Sequence, residues 1–135
     1  MRTRPALTLA DCRVIMAAAE TEALKHEWKV AIAILDDGGH VLHFSRMDGA
    51  TPANGEIAIE KGRSAAVARR PTKMWEERIA AGRVSMLKMP VLPVEGGVPI
   101  MVKGECVGAV GVSGVQSHED AQIAQAGIDA VLQTA

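Results

Sequence analysis

Aromatic residues are nearly absent from this chain of 135 residues, which has two tryptophans, one phenylalanine and no tyrosine. Proteins that bind single-stranded nucleic acid stack bases on aromatic side chains, so a surface of that kind is not expected. Positive charge is not concentrated either. The formal net charge is −1 and no basic run occurs, which argues against nucleic acid and anionic membranes as partners. The core must therefore be aliphatic.

Long apolar segments and cysteine pairs are missing too. No apolar run approaches the roughly 20 residues of a membrane span, and residues 1–6 lack the apolar centre of a signal peptide, so we expect a cytoplasmic protein. Cys12 and Cys106 lie far apart and form no C-x-x-C pair, which favours buried, reduced thiols. The length and the 48% of hydrophobic residues predict one domain over residues 1–135.

Helical and strand patterns follow one another along the chain. Helices are predicted over residues 8–26, 52–69 and 73–80 and from residue 117 onward. Strands are predicted over residues 30–35, 40–46, 98–102 and 106–113. Turn residues at 36–39 and at Lys103-Gly104 join these strands in pairs. The pattern therefore predicts an antiparallel sheet with helices before and after it, an α+β fold.

The last predicted strand carries glycine on both of its faces. Because side chains alternate along a strand, two sets are expected on opposite faces: Cys106, Gly108, Val110 and Val112 on one, and Val107, Ala109, Gly111 and Ser113 on the other. Glycine weakens a strand, so another element should approach its backbone closely. Gly127, which costs the last helix about 1 kcal/mol relative to alanine, is expected to face these glycines.

Four segments, in this order, resemble the GlcG/HbpS family, also called DUF336 or the haem-degrading domain: residues 46–50, 96–99, 104–114 and 124–127. The same domain forms the C-terminal part of some PduO-type cobalamin adenosyltransferases. The resemblance implies a profilin-like three-layer α/β/α fold with a central antiparallel sheet of about five strands. It also implies a dimer or larger homo-oligomer, for which we expect the second helix or the last hairpin in the interface. Some members bind haem, which makes haem a candidate cofactor here.

Candidate site residues come from three segments of the chain. The candidate ligand-binding residues are Arg46, Asp48, Lys61, Gly96 and Gly97. Arginine and lysine bind carboxylates, and backbone N–H groups of glycine-rich turns bind anions. Arg46 and Asp48 have an alternative role, since they can instead pair with each other and staple their loop.

Two carboxylates on the second predicted helix are candidates for acid–base chemistry. Glu56 and Glu60 are four residues apart and so share one helical face. Together with Lys61 they are the candidate catalytic residues if the protein is an enzyme. The alternative is an ordinary solvated face.

Two hypotheses about function follow, and whether the protein is an enzyme is left open. The first is a small oligomeric protein that binds haem or a related small ligand. The second is a cofactor-free lyase or isomerase acting on a small organic acid, aromatic acids included. No metal site is predicted, because His40 and His43 should point to opposite faces of their strand. An open apolar groove with methionine and a nearby histidine would favour haem. A small closed pocket with an acid beside lysine or arginine would favour catalysis.

Overall fold

The computed structural model describes residues 1–134 of the chain. Its elements run in the order α1 (Leu9–Lys25), β1 (Ala31–Asp36), β2 (Val41–Arg46), α2 (Pro52–Ala68), α3 (Thr72–Ala80), a 3-10 helix (Val84–Lys88), β3 (Gly97–Val102), β4 (Glu105–Ser113) and α4 (Ser117–Thr134). Capping boxes begin two of the helices: Thr8 with Asp11 at α1, and Thr51 with Asn54 at α2. None of these helices has the length and apolar character needed to cross a bilayer.

The four strands form one sheet in the order β2-β1-β4-β3, with every neighbouring pair antiparallel. The α+β class is therefore confirmed, whereas the expected sheet of about five strands is corrected to four strands in the described residues. The segment before β3 forms a 3-10 helix and turns rather than another strand. It contains Pro90 and Pro93, and proline has no N–H group to donate to a strand ladder.

Helices cover both faces of the sheet. On one face Ile32 and Ile34 of β1 and Val110 of β4 share a core with side chains of α1 and α4, such as Ile15 and Ile123. On the other face, smaller side chains pack against α2: Ala31, Ala33 and Leu35 with Ala58, and Ala109 with Ala65 and Ala66. Both faces of β1 are buried, as its unbroken apolar sequence predicts.

A β-bulge in β4 changes the predicted alternation of faces. Ile100 pairs with Gly108 but Met101 pairs with Cys106, so Val107 is an extra residue on β4. Cys106 consequently lies on the α2 side, with its Sγ 3.8 Å from the carbonyl oxygen of Ala66, while Val107 joins the core beneath α1 and α4. The predicted faces were wrong at these two positions, because an inserted residue reverses the alternation beyond it. Both cysteines are buried, as expected.

A second bulge lies at the outer edge of the sheet, in β2. Ile34 pairs with His43 but Leu35 pairs with Val41, so Leu42 is the extra residue. Val41 is thereby placed opposite Leu35, on the α2 side of the sheet. In a strand without a bulge, Val41 would lie on the face of His43, two residues away.

Two glycines permit close approaches between elements. A methyl group on Gly111 would overlap the carbonyl oxygen of Ala58 and would lie 2.8 Å from Cα of Gly62, so α2 sits directly on the backbone of β4. A methyl group on Gly127 would lie 2.8 Å from the carbonyl oxygen of Ile15 in α1. Gly127 therefore faces α1, not the glycines of the sheet as expected. The reason is that α1 and α4 lie side by side on the same face.

Candidate functional site

A large open cavity lies where β2 leaves the sheet, between this strand end and the C-terminal half of α1. Its volume is about 780 Å³, which is within the range typical of small-molecule sites. It is lined by Glu20, Leu24, Glu27, Trp28, Lys29, Ser45, Arg46, Met47 and Asp48. Two of the predicted ligand-binding residues, Arg46 and Asp48, thus lie in the same cavity.

Two turns bring the walls of this cavity together. After α1 the chain reverses through Glu27, which has a φ of 60°, and the N–H of Trp28 donates to the carbonyl of Ala23 at 2.9 Å. On the other side, the N–H of Met47 donates to Val30 at 3.0 Å, which prolongs the pairing of β2 with the chain entering β1. Gly49, at a φ of 92°, then turns the loop beneath the aliphatic part of Lys29.

The cavity combines apolar surface with charges of both signs. Leu24, Trp28 and Met47 supply the apolar part, and Trp28 and Met47 also pack against the core below. Lys29 and Arg46 supply the positive charges beside the three carboxylates in the lining. Such a surface can hold an apolar ligand body while its two cations bind carboxylate groups at the edge of that ligand.

A histidine borders the cavity through an aromatic stack. The ring centroids of His26 and Trp28 are 4.2 Å apart, and Nε2 of His26 lies 3.2 Å from Oε2 of Glu22. The same carboxylate accepts a hydrogen bond of 2.8 Å from Gln122 of α4. These contacts lower the pKa of Glu22, the bond from Gln122 most and those from His26 and Lys25 less. Glu22 therefore stays negatively charged and orients the imidazole.

Arg46 and Asp48 line the cavity without pairing to each other. Within residues 1–134 no hydrogen bond or ion pair joins the two side chains. The alternative in which they staple their own loop is therefore not what the structure shows. Both side chains are exposed and open to a ligand.

Lys61, Gly96 and Gly97 lie elsewhere, in the interior between α2 and the sheet. Only 3% of the Lys61 side chain is exposed, and its Nζ donates to Oδ2 of Asp120 at 3.0 Å and to the carbonyl of Val112 at 3.1 Å. A methyl group on Gly96 would lie 2.7 Å from this Nζ, and one on Gly97 would overlap the carbonyl of Lys61. Neither the lysine nor the two glycines line the large cavity, and their part in ligand binding stays a prediction.

Asp120 completes this buried group. Its Oδ1 accepts a hydrogen bond of 3.2 Å from the N–H of Val115. Burial raises the pKa of Asp120 above its ordinary value, and the charge and hydrogen bond of Lys61 act in the opposite direction. The pair connects the middle of α2 to the end of β4 and the first turn of α4.

Glu56 and Glu60 lie on the exposed side of α2. Oε2 of Glu60 accepts hydrogen bonds from Nε and Nη2 of Arg63, both at 3.3 Å. Neither glutamate lines the large cavity, and their catalytic role stays a prediction. In the described part of the chain, no group of three His, Cys, Asp or Glu side chains is placed to hold a metal ion.

Sequence reasoning missed Trp28 and Lys29 as site residues. Each lies at or just beyond the end of α1, where basic and polar residues are expected for the helix itself. One signal in the sequence could have identified Trp28. Aromatic residues are scarce in this chain, and an aliphatic core does not need a tryptophan in the short segment between a helix and a buried strand.

A four-stranded antiparallel sheet with paired helices on one face and a single long helix on the other defines a layered α+β fold. A family model described as haem degrading protein HbpS-like matches residues 7–129. The protein GlcG of Escherichia coli strain K12 is 46% identical over 114 residues, which are 84% of this chain and 85% of that protein. The chain belongs to the HbpS-like family.

Solved structures agree with this assignment. The Klebsiella pneumoniae protein ORFY superimposes with a TM-score of 0.89 and 27% identity, covering 98% of this chain and 94% of that one. A complex of PduOC with haem gives a TM-score of 0.83 and 27% identity, covering 93% and 95% of the two chains.

Proposed function

We propose that this protein binds haem, or a related small ligand carrying carboxylate groups, in the cavity between α1 and the end of β2. The observation that supports this most directly is the placement of Lys29 and Arg46 beside the apolar surface of Leu24, Trp28 and Met47. Haem has an apolar ring and two carboxylate arms, so it offers matching groups to both kinds of surface. The match to the HbpS-like family supports the same proposal.

The residues present also fit the needs of the haem iron. Histidine, cysteine and methionine serve as axial ligands of haem. The lining includes Met47, and His26 stacks on the lining residue Trp28. Bound haem would supply an iron centre for redox or ligand-binding chemistry. The chain's own part would be to enclose the ring and to hold the carboxylates with Lys29 and Arg46.

The catalytic hypothesis, a cofactor-free lyase or isomerase acting on a small organic acid, has less support. It would need a small closed pocket with an acid beside lysine or arginine. The cavity is instead large and open, and Lys61, the lysine predicted for catalysis, is paired with Asp120 in the interior. We therefore prefer the binding function.

Titration of the purified protein with haemin, followed by Soret absorbance, tests this proposal. We expect saturation at one haem per chain. Arg46→Gln and Lys29→Gln should each weaken binding tenfold or more, which corresponds to about 1.4 kcal/mol, because each removes a cation from the cavity. Arg83→Gln changes an exposed arginine outside the cavity and is the matched control.

Two further variants distinguish the candidate axial ligands. Met47→Leu keeps the volume of the side chain but removes the sulfur, and His26→Gln removes the imidazole. A change in the Soret position in one variant alone would identify the axial residue. Haemin that gives no saturable Soret change, or equal affinities in wild type, Arg46→Gln and Lys29→Gln, would contradict haem binding in this cavity.

A further inference from the structure

A second cavity, of about 220 Å³, lies at the end of the sheet where β3 turns into β4. It is far from the first cavity. The first cavity lies at the start of β1, where Arg46 pairs with Ala31. The second lies near the other end of β1, where Gly108 at the start of β4 pairs with Asp36. Six residues of extended chain separate the two ends by roughly 17 Å. A ligand in one cavity therefore does not reach the other.

Positive charge converges on this second cavity from two distant parts of the chain. Arg2 and Arg4 come from the segment before α1, and Arg69 is the C-cap residue of α2. The lining contains three guanidinium groups and the carboxylate of Glu105, and the carboxylate of Asp37 pairs with Arg4 beside it. The chain as a whole has a net charge of −1, whereas this cavity has a local excess of positive charge.

The guanidinium of Arg69 is fixed in place. The residue has a left-handed backbone, with a φ of 58°, and its Nη1 donates to the carbonyl of Ala66 at 2.8 Å and also to the carbonyl of Asp37. Its Nε and Nη2 have no partner among the described residues. An arginine that is held at one nitrogen keeps its other donors available to a ligand.

The other two arginines make ion pairs that leave most of their donors free. Nη2 of Arg4 pairs with the carboxylate of Asp37, and Nη1 of Arg2 lies 3.4 Å from Oε1 of Glu105. Exposed ion pairs of this kind contribute about 0–1 kcal/mol. An anion that binds several guanidinium groups at once competes with them, because bidentate contacts to arginine are stronger than isolated surface pairs.

We propose that this cavity binds a compact anion of the phosphate class, carrying two or more negative charges. Arginine is the side chain best suited to phosphate because its planar donors match two phosphate oxygens. The volume admits a phosphate or pyrophosphate group, and Gly104 of the turn between β3 and β4 lines the cavity without a side chain that would obstruct it. The inference does not depend on the function proposed for the first cavity.

Calorimetric titration with inorganic pyrophosphate at low ionic strength tests this site. We expect saturable binding of one pyrophosphate per chain, weakened tenfold or more in Arg4→Gln and in Arg69→Gln. Arg83→Gln is again the control, because it removes one positive charge from an exposed position outside both cavities. If Arg69→Gln fails to fold because the carbonyls of α2 lose their donor, Arg4→Gln decides the question.

Glu105→Gln gives a test with the opposite sign. It removes the only carboxylate in the lining and frees Arg2, so pyrophosphate should bind more tightly than to wild type. If the arginines served only to hold the N-terminal segment by ion pairs, Glu105→Gln would not tighten binding. Backbone amide shifts of Gly104 and Glu105 on adding pyrophosphate should report the location independently of affinity.

Three results would overturn the proposal. The first is the absence of saturable binding by wild type. The second is equal weakening in Arg83→Gln, which would indicate general charge attraction. The third is loss of binding in Arg46→Gln but not in Arg4→Gln, which would place the anion in the first cavity.

Discussion

Lys61 has a buried ammonium group, and a buried charge is tolerated only when other groups replace the water it has lost. Asp120 and the carbonyl of Val112 do so, at 3.0 and 3.1 Å. Gly96 leaves the room that the ammonium group occupies. The net contribution of such a pair to stability is small, because desolvation of both charges opposes their attraction. Breaking it is costly, since one charge is then left buried alone.

Lys61→Met should lower the free energy of unfolding by about 3–5 kcal/mol, the usual cost of removing one partner from a buried pair. Urea denaturation measures this loss. The double variant Lys61→Met/Asp120→Leu should regain much of the lost stability, because neither charge of the pair then remains buried alone. Lys73→Met removes an exposed lysine whose ion pair with Glu77 is 3.5 Å long, and it should cost at most about 1 kcal/mol. Equal losses in Lys61→Met and Lys73→Met would mean that the buried pair has no structural role.

The loss in Lys61→Met should also depend on pH. Burial raises the pKa of Asp120 in the folded protein above the value of 3.8 that an unfolded chain has. The folded state then binds more protons between the two pKa values, so stability decreases as pH rises through that window. Without Lys61 the pKa of Asp120 rises further. The deficit of Lys61→Met should therefore increase as pH rises above the ordinary range of a carboxyl group. A deficit independent of pH would contradict this account.

At the level of single residues, the sequence predicted two of the side chains that line the large cavity, Arg46 and Asp48. These two residues could be predicted from sequence because they lie at the end of a predicted strand, where ligand-binding residues often occur. The ion pair between Lys61 and Asp120 could not be predicted from sequence, because the two residues are 59 positions apart and no local pattern specifies their contact. Trp28 and Lys29 were missed for a similar reason: the wall they form exists only once β2 folds against α1.

At the scale of elements, small residues set the distance between α2 and the sheet. Gly111 and Gly62 bring the two backbones into contact, and Leu35 fills the space beside Gly62. A helix can approach a strand this closely only where neither side carries a Cβ. The close contact expected from the glycines of β4 is thus present, but it is made with α2.

Gly111→Ala should destabilise the fold by about 1–3 kcal/mol or more, because the added methyl group meets backbone atoms of Ala58 and Gly62 that cannot move independently. The shift of the urea midpoint measures this effect. Gly38→Ala is a suitable control, since its methyl group would meet side chains rather than backbone, those of His40 at 3.2 Å and Asp36 at 3.5 Å. A Gly111→Ala midpoint equal to that of Gly38→Ala would show that α2 can move away from β4.

The boundaries of the helices were predictable because local chemistry determines them. Thr8 and Asp11 form the capping box that begins α1, and Pro71 stands shortly after α2, which ends at Ala68. The bulges at Leu42 and Val107 were not predictable. An inserted residue in a strand has the same composition as its neighbours, and only the pairing with another strand reveals it.

At the scale of the whole molecule, the outer strand β2 and the outer side of α2 present apolar side chains to solvent. Val41, Leu42 and Phe44 of β2 are exposed, as are Ile57 and Val67 of α2. The two elements are in contact, because Phe44 of β2 lies against Gly55 of α2. Val67 of α2 lies against Gly39 in the turn that precedes β2. An exposed apolar edge strand tends to associate with another chain. These elements are therefore the surface on which we expect self-association.

We predict that the protein is at least a dimer at micromolar concentration, with β2 and α2 in the interface. Light scattering should give a mass of at least twice 14.2 kDa.

Phe44→Glu should shift the equilibrium toward monomer, because it places a charge on the apolar surface, where 39% of the phenylalanine is exposed. Val14→Glu changes a side chain of similar exposure, 38%, on α1 and should leave the mass unchanged. A wild-type mass of 14.2 kDa would exclude the dimer, and dissociation by Val14→Glu instead of Phe44→Glu would move the interface to α1.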